Sequence, residues 1–148
     1  FQGNPNGNID PRQQSMLEAV NDIRTKGCQC GRRYMPPVQK VSWNDLLYKS
    51  ALMQANDMNM HHFMKHYSST GQDLGERLDL VGYQWKNAGE NLGRGQDTFE
   101  EVLQDWLRSY KHCVMLMNPK VEEMAIARVN NYWVQHFGKQ MNAENQGK

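Results

Sequence analysis

The chain has 148 residues, 17 basic and 16 acidic side chains for a formal charge of +1, and a mean hydropathy of -0.85. This length fits one domain that buries about 70% of its unfolded surface and needs no external staple. The balanced charge excludes a basic field for nucleic acid and an acidic tail, and no apolar run approaches the roughly 18 residues of a membrane helix.

Phe1-Gln2-Gly3 resembles the protease-site scar of an expression tag, and no signal peptide is visible, so residues 1–10 are set aside as a tag remnant and a turn-rich lead-in. Asp10-Pro11 reads as an N-cap followed by proline at the first helical position. Met16, Val20 and Ile23 then recur at helical spacing, and Gly27 stands where a C-terminal glycine would. "CQCGRRYMPP" reads as a loop carrying two of the three cysteines. A second helix is expected from about Asn44 to Met60, with Leu47, Ala51, Ala55 and Met58 on its apolar face. Periodicity dissolves through "HHFMKHYSSTGQD". Asp73 with Glu76 then forms a capping box for a short helix through Val81, and Thr98 with Glu101 forms another. Phe99, Val102, Leu103, Trp106 and Tyr110 make the apolar stripe of the last helix. In "MAIARVNNYWVQHFG" two β-rich runs flank Asn130-Asn131, a pair suited to a tight hairpin because asparagine tolerates positive φ. Helices first and strands last argue for an α+β fold, with the domain over residues 11–138 and a polar tail over 139–148.

Cys28 and Cys30 are too close in sequence to bridge each other without strain, and Cys113 lies far along the chain. One long-range disulfide with a free thiol, in an oxidising compartment, and three reduced thiols both fit that count. A zinc site from the cysteines and a histidine fits less well, because the paired knuckles of structural zinc sites are missing.

"KNAGENLGRG", residues 86–95, is glycine-rich but matches neither GxGxxG after a strand nor GxxxxGK[ST] before a helix. Its glycines serve backbone geometry, and Glu90 at its centre reads as a carboxylate turned inward to meet a cation or a histidine. Of the five histidines, His62 and His66 are four apart but lack the intervening glutamate of a helical zinc motif. His112 sits at the end of the last helix, where the dipole favours a cation, and His136 lies in a strand facing solvent or a sheet neighbour. Trp43, Trp106 and Trp133 read as core, Met53, Met58, Met60 and Met64 as core filler, Met115 and Met117 as packing beneath the chain leaving the last helix, and Arg77 as an ion-pair partner for a nearby loop.

Taken in order, "VSWNDLLYKSALMQANDM", "KHYSSTGQDLGERL", "YQWKNAGENLGRG", "EEVLQDWLRSYKHCVMLMNP" and "YWVQHFG" resemble the SCP-like extracellular domain of the CAP superfamily, in its bacterial form. The superfamily is named for cysteine-rich secretory proteins, antigen five and pathogenesis-related proteins. The resemblance implies a three-layer α-β-α sandwich around an antiparallel sheet, and a secreted protein, extracellular or periplasmic. It also implies a cleft lined by two histidines, His66 and His112, with Glu90. The position of a second glutamate in many relatives falls on Ser109, so this cleft has one carboxylate fewer. A disulfide is implied between Cys113 and a cysteine of the loop after the first helix, assigned to Cys30, which leaves Cys28 free. The expected function is binding of a small molecule, a lipid or a divalent cation such as Zn²⁺ on His66 and His112, with no cofactor required, no nucleic-acid partner and no established catalysis. The alternative is a metal-assisted or serine hydrolase acting on peptide, ester or cell-wall substrates. Ser109, three residues before His112, is its candidate nucleophile, though it lacks the GxSxG elbow.

Overall fold

The structure, a computed structural model, describes residues 9–141; the expected tag remnant, most of the lead-in and the end of the polar tail lie outside the described residues. Helix α1 (Pro11–Lys26) starts where proline costs nothing. Asp10 caps it, and its carboxylate and the Gln13 side chain bond each other's backbone N–H. Gly27, at φ 86, ends it. The segment expected as a loop is instead a small hairpin, β1 (Cys28–Cys30) and β2 (Arg33–Met35), turning at Gly31 with φ 59. The two-residue β3 (Ser42–Trp43) leads to helix α2 (Asp45–His61), capped by the Asn44 side chain. Its face of Leu47, Ala51, Ala55 and Met58 is fully buried. Met53 and Met60 are exposed, however, because their spacing carries them off that face, and Met64 is exposed beyond the end of the helix. Helix α3 (Leu74–Leu80) has the reciprocal box of Asp73 and Glu76.

"KNAGENLGRG" is the largest departure from expectation, for it forms strand β4 (Trp85–Arg94) rather than a glycine-rich loop. Two of its glycines are there for close approach. A Cβ on Gly89 would lie 2.2 Å from Met115 Sδ, and one on Gly93 would lie 2.5 Å from Val102 Cγ2. The helices following β4 therefore sit directly on its backbone. The expected last helix is broken in two, α4 (Phe99–Arg108) and α5 (Tyr110–Leu116), with Ser109 extended between them at φ -99, ψ 124. Val102 and Trp106 keep the apolar stripe, whereas Tyr110, beyond the break, is exposed. Thr98 caps α4 as expected, but Glu101 turns to the Asp97 N–H, so the box is not reciprocal. Strands β5 (Glu123–Val129) and β6 (Tyr132–Gln140) close the chain as a hairpin with Asn130 at φ 53.

The sheet runs β3-β5-β6-β4, antiparallel except where β3 joins β5 in parallel. Helix α2 lies on one face, with Ala51, Ala55 and Met58 against Leu92, Ala127 and Val134. Helices α4 and α5 lie on the other, and α1 packs beside them, where Arg24 Nη1 donates to the Leu116 carbonyl at 2.8 Å. The result is a three-layer α-β-α sandwich. The expected core tryptophans, Trp43, Trp106 and Trp133, are all buried. The Cys30–Cys113 disulfide ties the β1–β2 hairpin to α5 across 83 residues, and Cys28 is free. Closing a loop of that length contributes about 4.5 kcal/mol in the chain-entropy view.

The close contact at Gly93 predicts the outcome of a double-mutant cycle. Gly93→Ala drives a methyl into the stiff, fully buried Val102 and should lower stability by about 1–3 kcal/mol. Combined with Val102→Ala, most of that cost should vanish, because the second change vacates the space the first one needs. Urea denaturation of the four proteins checks this, and strictly additive losses would contradict the contact.

Candidate functional site

Strand β4 is the edge strand beside β6, and alternation along it divides its side chains between the two faces. Gly89, Asn91 and Gly93 face α4 and α5, where Asn91 Nδ2 donates to the His112 carbonyl and to Gln135 Oε1. Glu90 faces the other way, opposite His136 in the β4–β6 register. Its side chain is 2% exposed, yet every acceptor position is used. Oε1 accepts from His66 Nδ1 at 2.8 Å and from Arg77 Nη2 at 3.2 Å. Oε2 accepts from Arg77 Nη1 at 2.7 Å and from His136 Nε2 at 2.7 Å. Four donors fill the four lone-pair sites of a carboxylate.

This arrangement fixes charge states. Burial alone would push the Glu90 carboxyl up, but hydrogen bonds from His136, His66 and Arg77 outweigh it and hold the group well below the usual carboxylate range. His136 is fully buried, and burial pushes its imidazole down despite the neighbouring carboxylate, so it stays neutral. Its Nε2–H serves Glu90, and its Nδ1 therefore accepts from the Ser50 hydroxyl at 2.6 Å. Arg77, 4% exposed at its side chain, also donates from Nη2 to the His66 carbonyl at 2.7 Å and from Nε to the Gln72 carbonyl. One guanidinium thus neutralises Glu90 and pins the backbone of the segment bearing His66.

His66 lies in the stretch after α2. His62 ends that helix at φ 55, so His62 and His66 do not share a helical face. Because an ionised Glu90 has no proton to give, His66 Nδ1 carries the hydrogen, and in the neutral ring Nε2 is the nitrogen with the lone pair. The ring is 61% exposed. On the opposite side of β4, His112 in α5 bonds Ser109 Oγ through Nδ1 at 2.8 Å, and Ser109 makes no side-chain cap for α5. Burial first, then the positive charges of Lys111 and of His66 whenever that ring is protonated, push His112 below the ordinary histidine range. A cleft of about 650 Å³ runs around the β4 edge between these two rings. His66, Glu90 and His112 all line it, with Asn91 and Lys111, and its apolar wall is Leu74, Trp85, Ala88 and Met115. Ser109 is not among the lining residues and reaches the cleft through His112. Among the described residues, the one group of three metal-ligating side chains within 4.8 Å of one another is Cys28, Cys30 and Cys113. The cleft therefore offers two imidazoles and the carboxylate of Asp73, which also lines it while capping α3, rather than a closed ligand set.

The sequence reading missed Ser50 and Asn91, and read Arg77 and His136 too blandly. His136 takes the second of its two expected positions, facing a sheet neighbour, but it is buried there. The signal was its place after Tyr132 and Val134 on one face of a strand, where a lone histidine must find a partner. Arg77 pairs with Glu90 itself, 13 residues along the chain, and no periodicity marks that pairing.

The network sets a pH response. Glu90 has a lowered folded pKa, so its contribution is complete above the unfolded value of about 4.3 and is lost as pH falls below it. His136, also lowered, contributes fully above about 6.5 and loses its share as pH falls from there, because the unfolded chain then binds the extra proton. Thermal melts should therefore show stability declining from about pH 6.5 and steepening below about 4.3. At pH 7.5, Glu90→Gln should cost about 3–5 kcal/mol by leaving Arg77 buried without its anion. A loss under 1 kcal/mol in urea would show that the network carries little of the fold.

Residues 17–137 match the profile of the cysteine-rich secretory protein (CAP) family. The chain is similar to the protein YkwD of Bacillus subtilis, with 31% identity over 131 residues, 87% of this chain and 48% of that protein. It is also similar to the membrane protein YlbC of the same organism, at 23% identity over 86% of this chain and 34% of that one. The chain thus spans about half or less of the length of the curated relatives it matches. Among solved structures, an extracellular SCP-domain protein of Bacillus anthracis superposes with a TM-score of 0.76 at 22% identity, covering 90% of this chain and 45% of that one. An outer surface protein of Borrelia burgdorferi gives 0.75 at 20% identity, covering 90% and 97%. With the profile match over most of its length, the chain belongs to the cysteine-rich secretory protein (CAP) family, and its sandwich is the fold of the SCP-domain structures it superposes on.

Proposed function

We propose that the chain is an extracellular binding domain whose cleft takes a divalent cation on Nε2 of His66 and of His112, with room beside it for a small organic ligand. The observation carrying this reading is the engagement of His66 Nδ1 by Glu90, which leaves the Nε2 lone pair for the cleft. That is how a carboxylate orients a metal-binding imidazole from behind. Ser109 can accept from His112 Nδ1 in the same way. Neutral imidazoles suit Zn²⁺, but Glu90 has no acceptor left for a metal. A cation on two neutral ligands keeps its full charge, so its remaining positions favour water or an anionic group. Lys111 adds a second positive charge at the rim, and Leu74, Trp85 and Met115 suit the apolar part of a small amphiphile. The disulfide, and fold neighbours described as an extracellular and an outer surface protein, support an extracellular or periplasmic place.

Serine hydrolysis is less well supported. Ser109 touches His112, but Glu90 is occupied by His66, Arg77 and His136 and gives His112 no third member of a triad. A Ser–His–Glu chain does exist in Ser50–His136–Glu90, but Ser50 and His136 are buried, so a substrate cannot reach that hydroxyl.

Zinc titration by calorimetry at pH 7.5 should give one site with a Kd on the order of 10 µM or weaker, far from the roughly 10–16 kcal/mol of four-ligand structural sites. His66→Ala and His112→Ala should each weaken binding at least about tenfold. Affinity should also fall as pH drops through about 6.5, where histidine gains a proton. Unchanged affinity in both variants would move the ion elsewhere, with His61 and His62 next to test. Chelator-treated protein should show no saturable esterase or peptidase turnover; activity lost in Ser109→Ala would restore the hydrolase reading.

A further inference from the structure

Away from the cleft, three sulfur atoms meet where the β1–β2 hairpin contacts α5. Cys30 and Cys113 are bridged, and the free thiol of Cys28 lies 3.7 Å from Cys113 Sγ, with all three sulfurs within 4.8 Å of one another. The sequence spacing produces this. Two residues apart on one strand, Cys28 and Cys30 project to the same face, so both present sulfur to the single cysteine of α5. They differ in access: Cys28 is half-buried, whereas Cys30 and Cys113 have no exposed surface. A thiol held against a disulfide has a chemistry that neither group has alone.

We propose that Cys28, Cys30 and Cys113 form a thiol–disulfide exchange site in which Cys28 and Cys30 compete for Cys113. The Cys28 thiolate attacks Cys113 Sγ, and the Cys28–Cys113 bond forms as the Cys30–Cys113 bond breaks. The electron pair leaves on Cys30 Sγ, which takes up one proton for the one Cys28 released. The exchange is redox-neutral and requires no outside oxidant or reductant. Both bridges tie the same hairpin to the same helix, and they close loops of 83 and 85 residues, so chain entropy does not distinguish them. Local packing sets the balance. Exchange withdraws the free thiol from a half-buried strand position to a fully buried one, away from oxidants and electrophiles outside the protein. Burial also holds the Cys28 thiol above its ordinary pKa, which slows the attack without changing its end point.

The test uses the intact chain without reductant. Protein is held at pH 8.5, quenched in acid, unfolded and labelled with N-ethylmaleimide at low pH. Non-reducing digestion and tandem mass spectrometry then place the label within the peptide spanning residues 27–32. The expected result is label on Cys30 as well as Cys28, on the order of one chain in ten, together with a matching Cys28–Cys113 cross-link. Cys28→Ser, treated identically, should show no label on Cys30. Label on Cys30 in the wild type no higher than in Cys28→Ser would overturn the proposal. Cys30 label of equal size in both would do so as well, because it would then arise from an outside reductant.

Discussion

The Glu90 carboxylate holds one anion at the edge of the sheet by donors from three separate parts of the chain: Arg77 in α3, His136 in β6 and His66 in the stretch after α2. Removing a carboxylate from water costs several kcal/mol, and a single partner does not offset that. A guanidinium with both terminal nitrogens engaged, plus two imidazole N–H groups, does. Each donor is in turn fixed by something else: Arg77 by the Gln72 and His66 carbonyls, and His136 by Ser50 of α2. The segment over residues 62–73 has no regular structure of its own, and this network, together with Gln54 Nε2 donating to the Lys65 and Tyr67 carbonyls, gives its His66 a definite place.

The other wall of the cleft depends on a different constraint, the absence of side chains. Glycines at 89 and 93 let α4 and α5 lie directly on β4, and the break at Ser109 turns α5 so that His112 meets the strand edge. Ser109 gives up the usual role of an N-cap hydroxyl to hold the His112 ring. Both imidazoles are thus positioned by bonds through Nδ1. One is held by a buried charge and the other by a hydroxyl, so the two rings differ in exposure and in how firmly their tautomers are set.

Much of the fold was legible in the sequence because it is written locally. The Asp10-Pro11 start, the Asp73–Glu76 box and the turn at Asn130 are all signals within four residues, and each lies where it was expected. Tertiary packing overrode the pattern in two places. The glycine-rich stretch at 86–95 has the composition of a loop, but its glycines answer to helices that come later in the chain and are invisible in a local window. The helix break at Ser109 lies inside a good amphipathic stripe, and nothing before Tyr110 announces it. His66, Glu90 and His112 were reached through family motifs rather than spacing, since they are spread over 47 positions and converge only in three dimensions. Arg77 and His136, whose bonds decide what Glu90 can do, escaped because an arginine in a short helix and a histidine in a strand look ordinary until their burial is known.

The saturation of Glu90 bears on what the cleft can be. A carboxylate with open lone pairs would act as ligand or base, and its chemistry would change with whatever entered. Here the carboxylate is already neutralised by Arg77, and its four acceptor sites are filled from within the protein. It therefore lines the cleft with its acceptors already engaged. The ordering cost of the His66 ring is met during folding, so on the reading proposed above a ligand would not bear it. The same saturation leaves Glu90 itself no open lone pair with which to accept a proton. The carboxylate that the family motif places in the cleft is, in the folded chain, the group that draws His66, Arg77 and His136 together.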